Sequence, residues 1–251
     1  MNQKRRRQII QMLEEQQAIT NQELMDCFGI SIETVRRDLA YLEEHGMLTR
    51  VYGGAVWKEN AKTEPLYSRR EQKNNKEKEK ISNQAQVFIE QNDIVFFDLG
   101  TTVESVAKNL DKEKKVHAFT NSIRAAVALC EKCSNVILTG GKIRDGELSL
   151  SGTLAEDNIS KFNIQKAIIG AGGITEEGIS DFIVDEAGLR NKVIKNAKKV
   201  IVLADYAKFS VRAMCHVCGF EDIDVLITDN KAPKDILNII RKKGVQVVVV
   251  K

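Results

Sequence analysis

The sequence lacks any apolar run that approaches the roughly 18–20 residues needed by a membrane-spanning helix. Its N-terminus, MNQKRRRQII, is charged, but no apolar stretch of the kind found in signal peptides follows it. We therefore expect a cytoplasmic protein without a membrane partner.

The sequence also has few cysteines, and their number is odd: Cys27, Cys130, Cys133, Cys215 and Cys218. An odd count does not favour a disulfide framework. The last four form two C-x-x-C pairs, which could supply four zinc ligands. The alternative is chance placement, since Cys130 ends an apolar helical run and about 80 residues separate the pairs. We predict no metal site and no cofactor.

Charge of one sign is not in excess either, because the formal net charge of +3 is too small to indicate a nucleic-acid partner by itself. With 251 residues the chain exceeds the usual single-domain size of roughly 100–200, which favours two domains. The composition becomes polar over residues 58–80, with Pro65 and a run of mixed charges. We predict a first domain over residues 1–57, a linker and connecting helix over 58–80, and a second domain over 81–251.

The first domain is predicted to contain three helices and a hairpin. Thr20 and Glu23 fit a capping box, and Gly29 is a typical helix stop. Ser31 caps a third helix over about residues 32–45, and two short β-type runs then meet at Gly53-Gly54. This order is typical of a winged helix-turn-helix, in which the third helix reads the major groove of double-stranded DNA.

Hydroxyl and guanidinium groups at the start of this reading helix can bond phosphates and base edges. The predicted DNA-binding residues are Arg5, Arg6, Ser31, Glu33, Thr34, Arg36, Arg37, Arg50 and Tyr52. The first two would hold flanking phosphates, and the last two would lie on the wing. The alternative is a three-helix fold that binds protein instead of DNA.

The stretch SIETVRRDL from Ser31, followed by Gly46, Arg50 and Gly53-Gly54-Ala55, resembles the signature of the DeoR family of bacterial sugar-metabolism repressors. Many winged helices share the fold, but few share TVRRDL followed by R-x-x-GGA. The resemblance implies a sequence-specific transcriptional regulator associated with the bacterial nucleoid.

From residue 81 onward, apolar β-type runs alternate with helical segments. Runs begin at Asp93, Val116, Asn135, Lys166, Val200, Val225 and Val245. This alternation predicts an α/β domain with a mainly parallel sheet covered on both faces. In such sheets, ligands bind beyond the carboxyl ends of the strands.

Those strand ends carry glycines, hydroxyls and amides, which suit a small anionic ligand. The candidate effector-binding residues are Asp98, Gly100, Thr101, Thr102, Thr120, Asn121, Ser122, Gly140, Gly141, Gly170, Gly172, Gly173, Glu186 and Lys208. Helix N-termini at Thr101 and Ser122 favour an anion, Asp98 and Glu186 could accept bonds from sugar hydroxyls, and Lys208 could add a cation. We infer that a phosphate group is the most plausible anion.

The same strand-end motifs resemble the effector domain of the DeoR family, whose fold is similar to sugar-phosphate isomerases such as ribose-5-phosphate isomerase. The chain departs from the family pattern at Asn191 and at Tyr206-Ala207. The resemblance implies a repressor, as a homodimer or homotetramer, whose operator binding is modulated by a phosphorylated sugar. The alternative is a sugar-phosphate isomerase with an accessory DNA-binding domain, in which Glu186 would be the base.

Overall fold

The computed structural model describes residues 2–16, 18–44, 47–51, 53–57 and 64–251. Two compact units divide the chain: an N-terminal unit, Met1–Thr63, and a larger unit, Glu64–Lys251. Tyr52, predicted on the wing, and residues 58–63 of the predicted linker lie outside the described residues. Among those that are described, no helix is long and apolar enough to cross a membrane.

The N-terminal unit is a three-helix fold with a small antiparallel sheet. Its elements are α1 (Asn2–Gln16), β1 (Ala18–Thr20), α2 (Asn21–Phe28), α3 (Ile32–Glu44), β2 (Leu48–Val51) and β3 (Gly54–Trp57). The strands are ordered β1-β3-β2, with both pairs antiparallel. The predicted helices and hairpin are confirmed, whereas β1 was missed because three residues are too few to show an alternating pattern.

Local signals position α2 and α3 as the sequence suggested. Thr20 and Glu23 form the complete capping box of α2, and Gly29 ends that helix at φ 60°. Ser31 precedes α3, and its backbone carbonyl accepts the first helical hydrogen bond from Val35. One face of each helix packs into a single core, which contains Ile9, Leu13, Ile19, Leu24, Val35, Leu39, Leu42, Leu48 and Ala55.

A buried carboxylate on α3 ties this helix to α1. Asp38 accepts from the Nε of Arg5 at 2.6 Å and from the Nε of Arg6 at 2.8 Å. The Arg6 guanidinium also lies 3.7 Å from the centre of the Tyr41 ring. The two arginines therefore hold the reading helix in place from within the domain.

The larger unit is built on a seven-stranded parallel sheet. The strands of the whole unit, of which only some belong to this sheet, are β4 (Ile94–Phe97), β5 (His117–Thr120), β6 (Asn135–Leu138), β7 (Lys142–Arg144), β8 (Ser149–Ser151), β9 (Ile164–Gly170), β10 (Gly173–Thr175), β11 (Gly178–Asp181), β12 (Ala197–Leu203), β13 (Cys215–Cys218), β14 (Val225–Asp229) and β15 (Gln246–Val250). The main sheet has the order β15-β14-β12-β9-β4-β5-β6 and every pair in it is parallel. This confirms the predicted fold class, a winged helix-turn-helix followed by an α/β parallel-sheet domain.

Helices cover both faces of this sheet. They are α4 (Tyr67–Gln72), α5 (Asn75–Ala85), α6 (Thr101–Lys108), α7 (Ile123–Cys130), α8 (Thr153–Ile159), α9 (Val184–Asn196) and α10 (Lys234–Lys242). Successive strand residues enter two different cores, since Phe96 and Ile169 belong to one buried cluster and Phe97 and Ile168 to the other. Burial on both faces explains why these strands read as continuous apolar runs.

Two smaller sheets extend the carboxyl edge and were not predicted. β7 and β8 form a two-stranded hairpin, and β10, β11 and β13 form a three-stranded antiparallel sheet. All five of these strands have only three or four residues, so they give little periodic signal.

The polar stretch predicted as a linker with a solvated helix differs from that expectation. Its described part, from Glu64 onward, belongs to the larger unit, and α4 and α5 pack within it. Tyr67, Lys78 and Ile81 are buried there. The many charged residues of the stretch suggested a solvent-exposed helix. Several of its lysine and arginine side chains instead have partners within the larger unit.

We predict that Asp38→Asn destabilises the N-terminal unit by about 1.5–3 kcal/mol, the usual contribution of hydrogen bonds to a charged group. Urea unfolding followed by the fluorescence of Trp57, the only tryptophan in the chain, measures this loss. Asp26→Asn, at an exposed position on α2, is the matched control and should leave the midpoint unchanged. An unchanged midpoint for Asp38→Asn would contradict the structural role of the pair of arginines.

Candidate functional site

The exposed start of α3 is the candidate nucleic-acid interface. Arg36 and Arg37 are exposed on this helix, and among the described residues neither guanidinium has an ion-pair partner. The hydroxyls of Ser31 and Thr34 lie 3.3 Å apart in its first turn. Two unpaired guanidinium groups beside hydroxyls form a surface suited to phosphates and base edges.

The other predicted DNA-binding residues have more internal contacts. The Nε atoms of Arg5 and Arg6 are held by Asp38 and so join α1 to α3, and their predicted contact with flanking phosphates stays a prediction. Arg50 on β2 is exposed, and its Nε lies 3.8 Å from Glu43. Glu33 is exposed, and hydrogen bonds from its own backbone amide and from Ser31 lower its pKa.

In the larger unit, the N-terminus of α6 lies at the carboxyl end of β4. Gly100 precedes this helix at φ 112°, and no side chain caps its first turn. Beyond its chain neighbours, no atom lies within 4 Å of the place where a Cβ on Gly100 would point. The first backbone amides of α6, at Thr101 and Thr102, therefore suit an anion.

Four cationic side chains, those of Arg70, Lys78, Arg144 and Lys208, form a cluster in which each interacts electrostatically with Glu64 or Asp205. The cluster reaches the helix start through the Arg70 carbonyl, which accepts from the Thr101 hydroxyl at 3.4 Å. Among the described residues, no carboxylate forms an ion pair with Lys208. Burial, reinforced by the nearby Arg70, lowers the pKa of Lys208 against the opposing effect of Asp205 and Glu64. Burial likewise lowers the pKa of Lys78 to about 8, and Lys208 and Arg70 contribute. Crowded, partly desolvated cations of this kind favour a bound anion.

Carboxylates already occupy the two arginines. The Nη1 of Arg144 lies 2.7 Å from Glu186, and its Nη2 lies 2.5 Å from Glu64. Arg70 contacts Glu64 at 3.2 Å and also pairs with Glu147. Glu186 accepts a further bond from Ser149 at 2.5 Å, and burial raises its pKa against the effects of Ser149 and Arg144. Glu186 thus already has internal partners, and its predicted role as an acceptor for sugar hydroxyls stays a prediction.

A second buried ion-pair group lies where β4 and β11 end. Arg190 donates to Asp98 at 2.6 Å and also pairs with Asp181. Asp98 accepts in addition from the Gly170 amide at 3.1 Å and from Asn121 at 3.4 Å. These contacts make Asp98 an organiser of the sheet edge, and its predicted role as an acceptor for sugar hydroxyls stays a prediction. Asn121 keeps a buried Oδ1 that has no hydrogen-bond partner within the described part of the chain.

Several other predicted effector residues have local structural contacts. Thr120 accepts from the Ser122 amide at 3.0 Å, and Ser122 caps α7 through the Ala125 amide at 3.2 Å. Close backbone atoms leave no room for a side chain at three of the glycines. A Cβ on Gly141 would lie 2.5 Å from the Ser151 carbonyl oxygen. A Cβ on Gly172 would lie 2.9 Å from the Ser180 carbonyl oxygen, and one on Gly173 would lie 2.2 Å from the Val211 carbonyl oxygen. Gly140 turns the chain at φ 73° after β6. Of the predicted residues, Lys208 belongs to the cation cluster, and Thr101 contacts it through the Arg70 carbonyl.

The two residues that depart from the family pattern differ in position. Asn191 donates to the Val217 carbonyl at 2.6 Å, which places it against β13 and away from the cation cluster. Tyr206 donates through its hydroxyl to Asn74 at 3.3 Å, beside the cluster.

Sequence reasoning missed Glu64, Arg70, Lys78 and Arg144. The first three lie in the stretch that was predicted to be solvated, and Arg144 lies in an unpredicted hairpin. For Glu64, Arg70 and Lys78, the only sequence signal is the density of charged residues before residue 80.

The cysteine pairs lie in different elements, one at the end of α7 and the other on β13. Burial raises the pKa of Cys133 to about 11 and that of Cys218 to about 12. Within the described ranges, no group of three or more histidine, cysteine or acidic residues could hold a metal ion.

Comparison with known proteins agrees with both units. The DeoR-like helix-turn-helix domain matches residues 5–61, and the DeoR C terminal sensor domain matches residues 73–230. The HTH-type transcriptional regulator GlpR of Haloferax volcanii is 33% identical over 245 residues, covering 97% of this chain and 96% of its own. The HTH-type transcriptional repressor GlcR of Bacillus subtilis (strain 168) is 32% identical, covering 96% and 93% of the two chains.

The Glycerol-3-phosphate regulon repressor of Escherichia coli (strain K12) is 29% identical over 240 residues, which cover 95% of each chain. A ribose-5-phosphate isomerase in complex with phospho-erythronic acid overlaps 53% of this chain with a TM-score of 0.40 and 17% identity, which is too low to carry an argument. The match to both domain families and to full-length relatives shows that the chain belongs to the DeoR family of transcriptional regulators.

Proposed function

We propose that this regulator is a repressor whose affinity for operator DNA is modulated by a phosphorylated sugar or a similar metabolite. The observation that carries the proposal is the cluster of Arg70, Lys78, Arg144 and Lys208 at the uncapped start of α6. Relatives named as repressors, one of a glycerol-3-phosphate regulon, support it. The isomerase alternative is not favoured, since those relatives are named regulators and Glu186 is held by Arg144 and Ser149.

The DNA-binding half of the proposal places α3 in the major groove. Arg36 and Arg37 supply the unpaired guanidinium groups that commonly contact guanine and phosphate. A homodimer or homotetramer would present two such helices to two half-sites. Such a regulator acts at the bacterial nucleoid in the cytoplasm.

The effector half of the proposal uses Lys208 as the main contact of the anion. A phosphate that meets this lysine also meets the free amides of Thr101 and Thr102. The bound phosphate reduces the repulsion between the neighbouring cations. For this reason we expect the cluster to prefer a doubly charged ligand. The buried Oδ1 of Asn121, which has no hydrogen-bond partner among the described residues, can accept a hydrogen bond from a hydroxyl of the same ligand.

We expect Arg37→Ala to weaken operator binding by about 1–3 kcal/mol if this residue contacts a base. Fluorescence anisotropy with the DNA upstream of the chain's own gene, at fixed salt, measures the loss. Arg212→Ala, an exposed arginine of the larger unit, is the control and should bind normally. Equal affinities for Arg37→Ala and the control would remove Arg37 from the reading set.

We expect one member of a panel of sugar phosphates to weaken the operator complex of the unmodified protein. Calorimetry should then show that Lys208→Gln binds this compound at least tenfold more weakly, because the unpaired cation is gone. Lys231→Gln changes an exposed lysine that already pairs with Glu77, and it should bind the compound normally. An unaltered affinity in Lys208→Gln would show that the anion binds elsewhere.

We expect the affinity for an anion to fall as the pH rises from 7.5 to 9.5. Lys78 has a pKa of about 8 and therefore loses its charge within this window, and burial lowers the pKa of Lys208 in the same direction. Sulfate is the better probe for calorimetry, since its own charge does not change over this range. A constant sulfate affinity over this range would show that these lysines do not hold the anion.

A further inference from the structure

Glu64, the first residue of the larger unit, extends its carboxylate into the cation cluster. It lies 2.5 Å from Arg144 and 3.2 Å from Arg70, and it interacts electrostatically with Lys208. Burial alone would raise the pKa of Glu64, but Arg70 and Arg144 outweigh it and keep the pKa below its usual value. This carboxylate is therefore charged and bound as an anionic ligand would be.

The segment that follows Glu64 forms part of the wall of the anion site. The Arg70 carbonyl accepts from the hydroxyl of Thr101 at the start of α6, at 3.4 Å. Asn74 donates to Asp205 at 3.2 Å, beyond the end of β12. Residues that lie immediately after the chain leaves the N-terminal unit thus contact the strand ends where the effector is proposed to bind.

Of the two carboxylates on Arg144, Glu64 is the one that can leave at low cost. Glu186 lies on α9 and is also bonded to Ser149, so its displacement would break a helix-anchored contact. Glu64 precedes Pro65 and belongs to no helix or strand, so it can move without the loss of secondary structure. A phosphate and a carboxylate bind guanidinium groups in the same geometry, and two anions in one place repel each other.

We propose that Glu64 is an internal competitor of the effector, bound to Arg70 and Arg144 in the absence of ligand. The effector anion displaces the Glu64 carboxylate and so releases the first residues of the larger unit, Glu64 to Leu66, which follow the DNA-binding domain in the chain. This inference rests on the proposed function and names the regulation of the same site. In this proposal, the Glu64 carboxylate alone carries the signal from the effector site to the DNA-binding domain.

The test compares the full-length protein with Glu64→Gln, titrated with inorganic phosphate by calorimetry. A tethered carboxylate competes at an effective concentration in the millimolar range, so we expect its removal to tighten phosphate binding by about tenfold. Glu113→Gln changes an exposed glutamate between α6 and β5, and as the matched control it should bind phosphate as the unmodified protein does. Glu64→Ser provides a second replacement, and it should also tighten binding.

Two further measurements separate this inference from the proposed function. The gain from Glu64→Gln should disappear in the double variant with Lys208→Gln, and Glu64→Gln alone should shift operator affinity in the same direction as phosphate shifts that of the unmodified protein. If Lys208→Gln weakens phosphate binding while both Glu64 variants bind it with unchanged affinity, the internal competitor is wrong and the anion site stands. If no variant responds to phosphate and Lys208→Gln has no effect, the anion site is wrong as well.

Discussion

The buried guanidinium of Arg190 holds the carboxyl edge of the large sheet together. It bonds Asp98 after β4 and Asp181 at the end of β11, and Asp98 in turn accepts from the backbone of Gly170 at the end of β9. Removal of one partner from such a group leaves a buried charge without compensation, which commonly costs about 3–5 kcal/mol. The electrostatic consequence matters more for function. Two carboxylates that would repel an anion are neutralised, and the cations at the start of α6 determine the local potential.

The same rule of charge pairing separates structural from available cations in both units. Arg5 and Arg6 are held by Asp38, and Arg190 by its two aspartates. Arg37 and Lys208 have no such ion-pair partner among the residues that the structure describes. An unpaired cation does not have to break an internal ion pair before it binds an external anion. For this reason cations such as Arg36, Arg37 and Lys208, and not the total positive charge, identify the surfaces proposed to bind DNA and effector.

The fold was predictable to the extent that its signals are local. The capping box at Thr20, the glycine stop at Gly29 and the alternation of apolar strands with helices all lie within short windows of sequence. The site was predictable only in part, because its partners are distant in sequence. Asp98 and Lys208 both follow strands and looked equally available, yet Arg190 bonds Asp98, whereas no described carboxylate lies within ion-pair distance of Lys208. Which strand-end residue remains free depends on tertiary pairing, and periodicity carries no information about it.

A signal between effector and operator needs a contact that differs in free energy between two states of the protein. Coupling in allosteric proteins is typically about 1–3 kcal/mol, a change of roughly 5–150-fold in affinity. A hydrogen-bonded pair with a charged partner contributes about 1.5–3 kcal/mol, and partial exposure of Arg144 reduces this figure. The exchange of one carboxylate for one phosphate on the same guanidinium groups therefore has the right magnitude without a large rearrangement of the core. The ion pairs of Glu64 are sufficient as the proposed switch, because the sheet and its two buried cores can remain unchanged while Glu64 and the two residues after it, which belong to no helix or strand, change position.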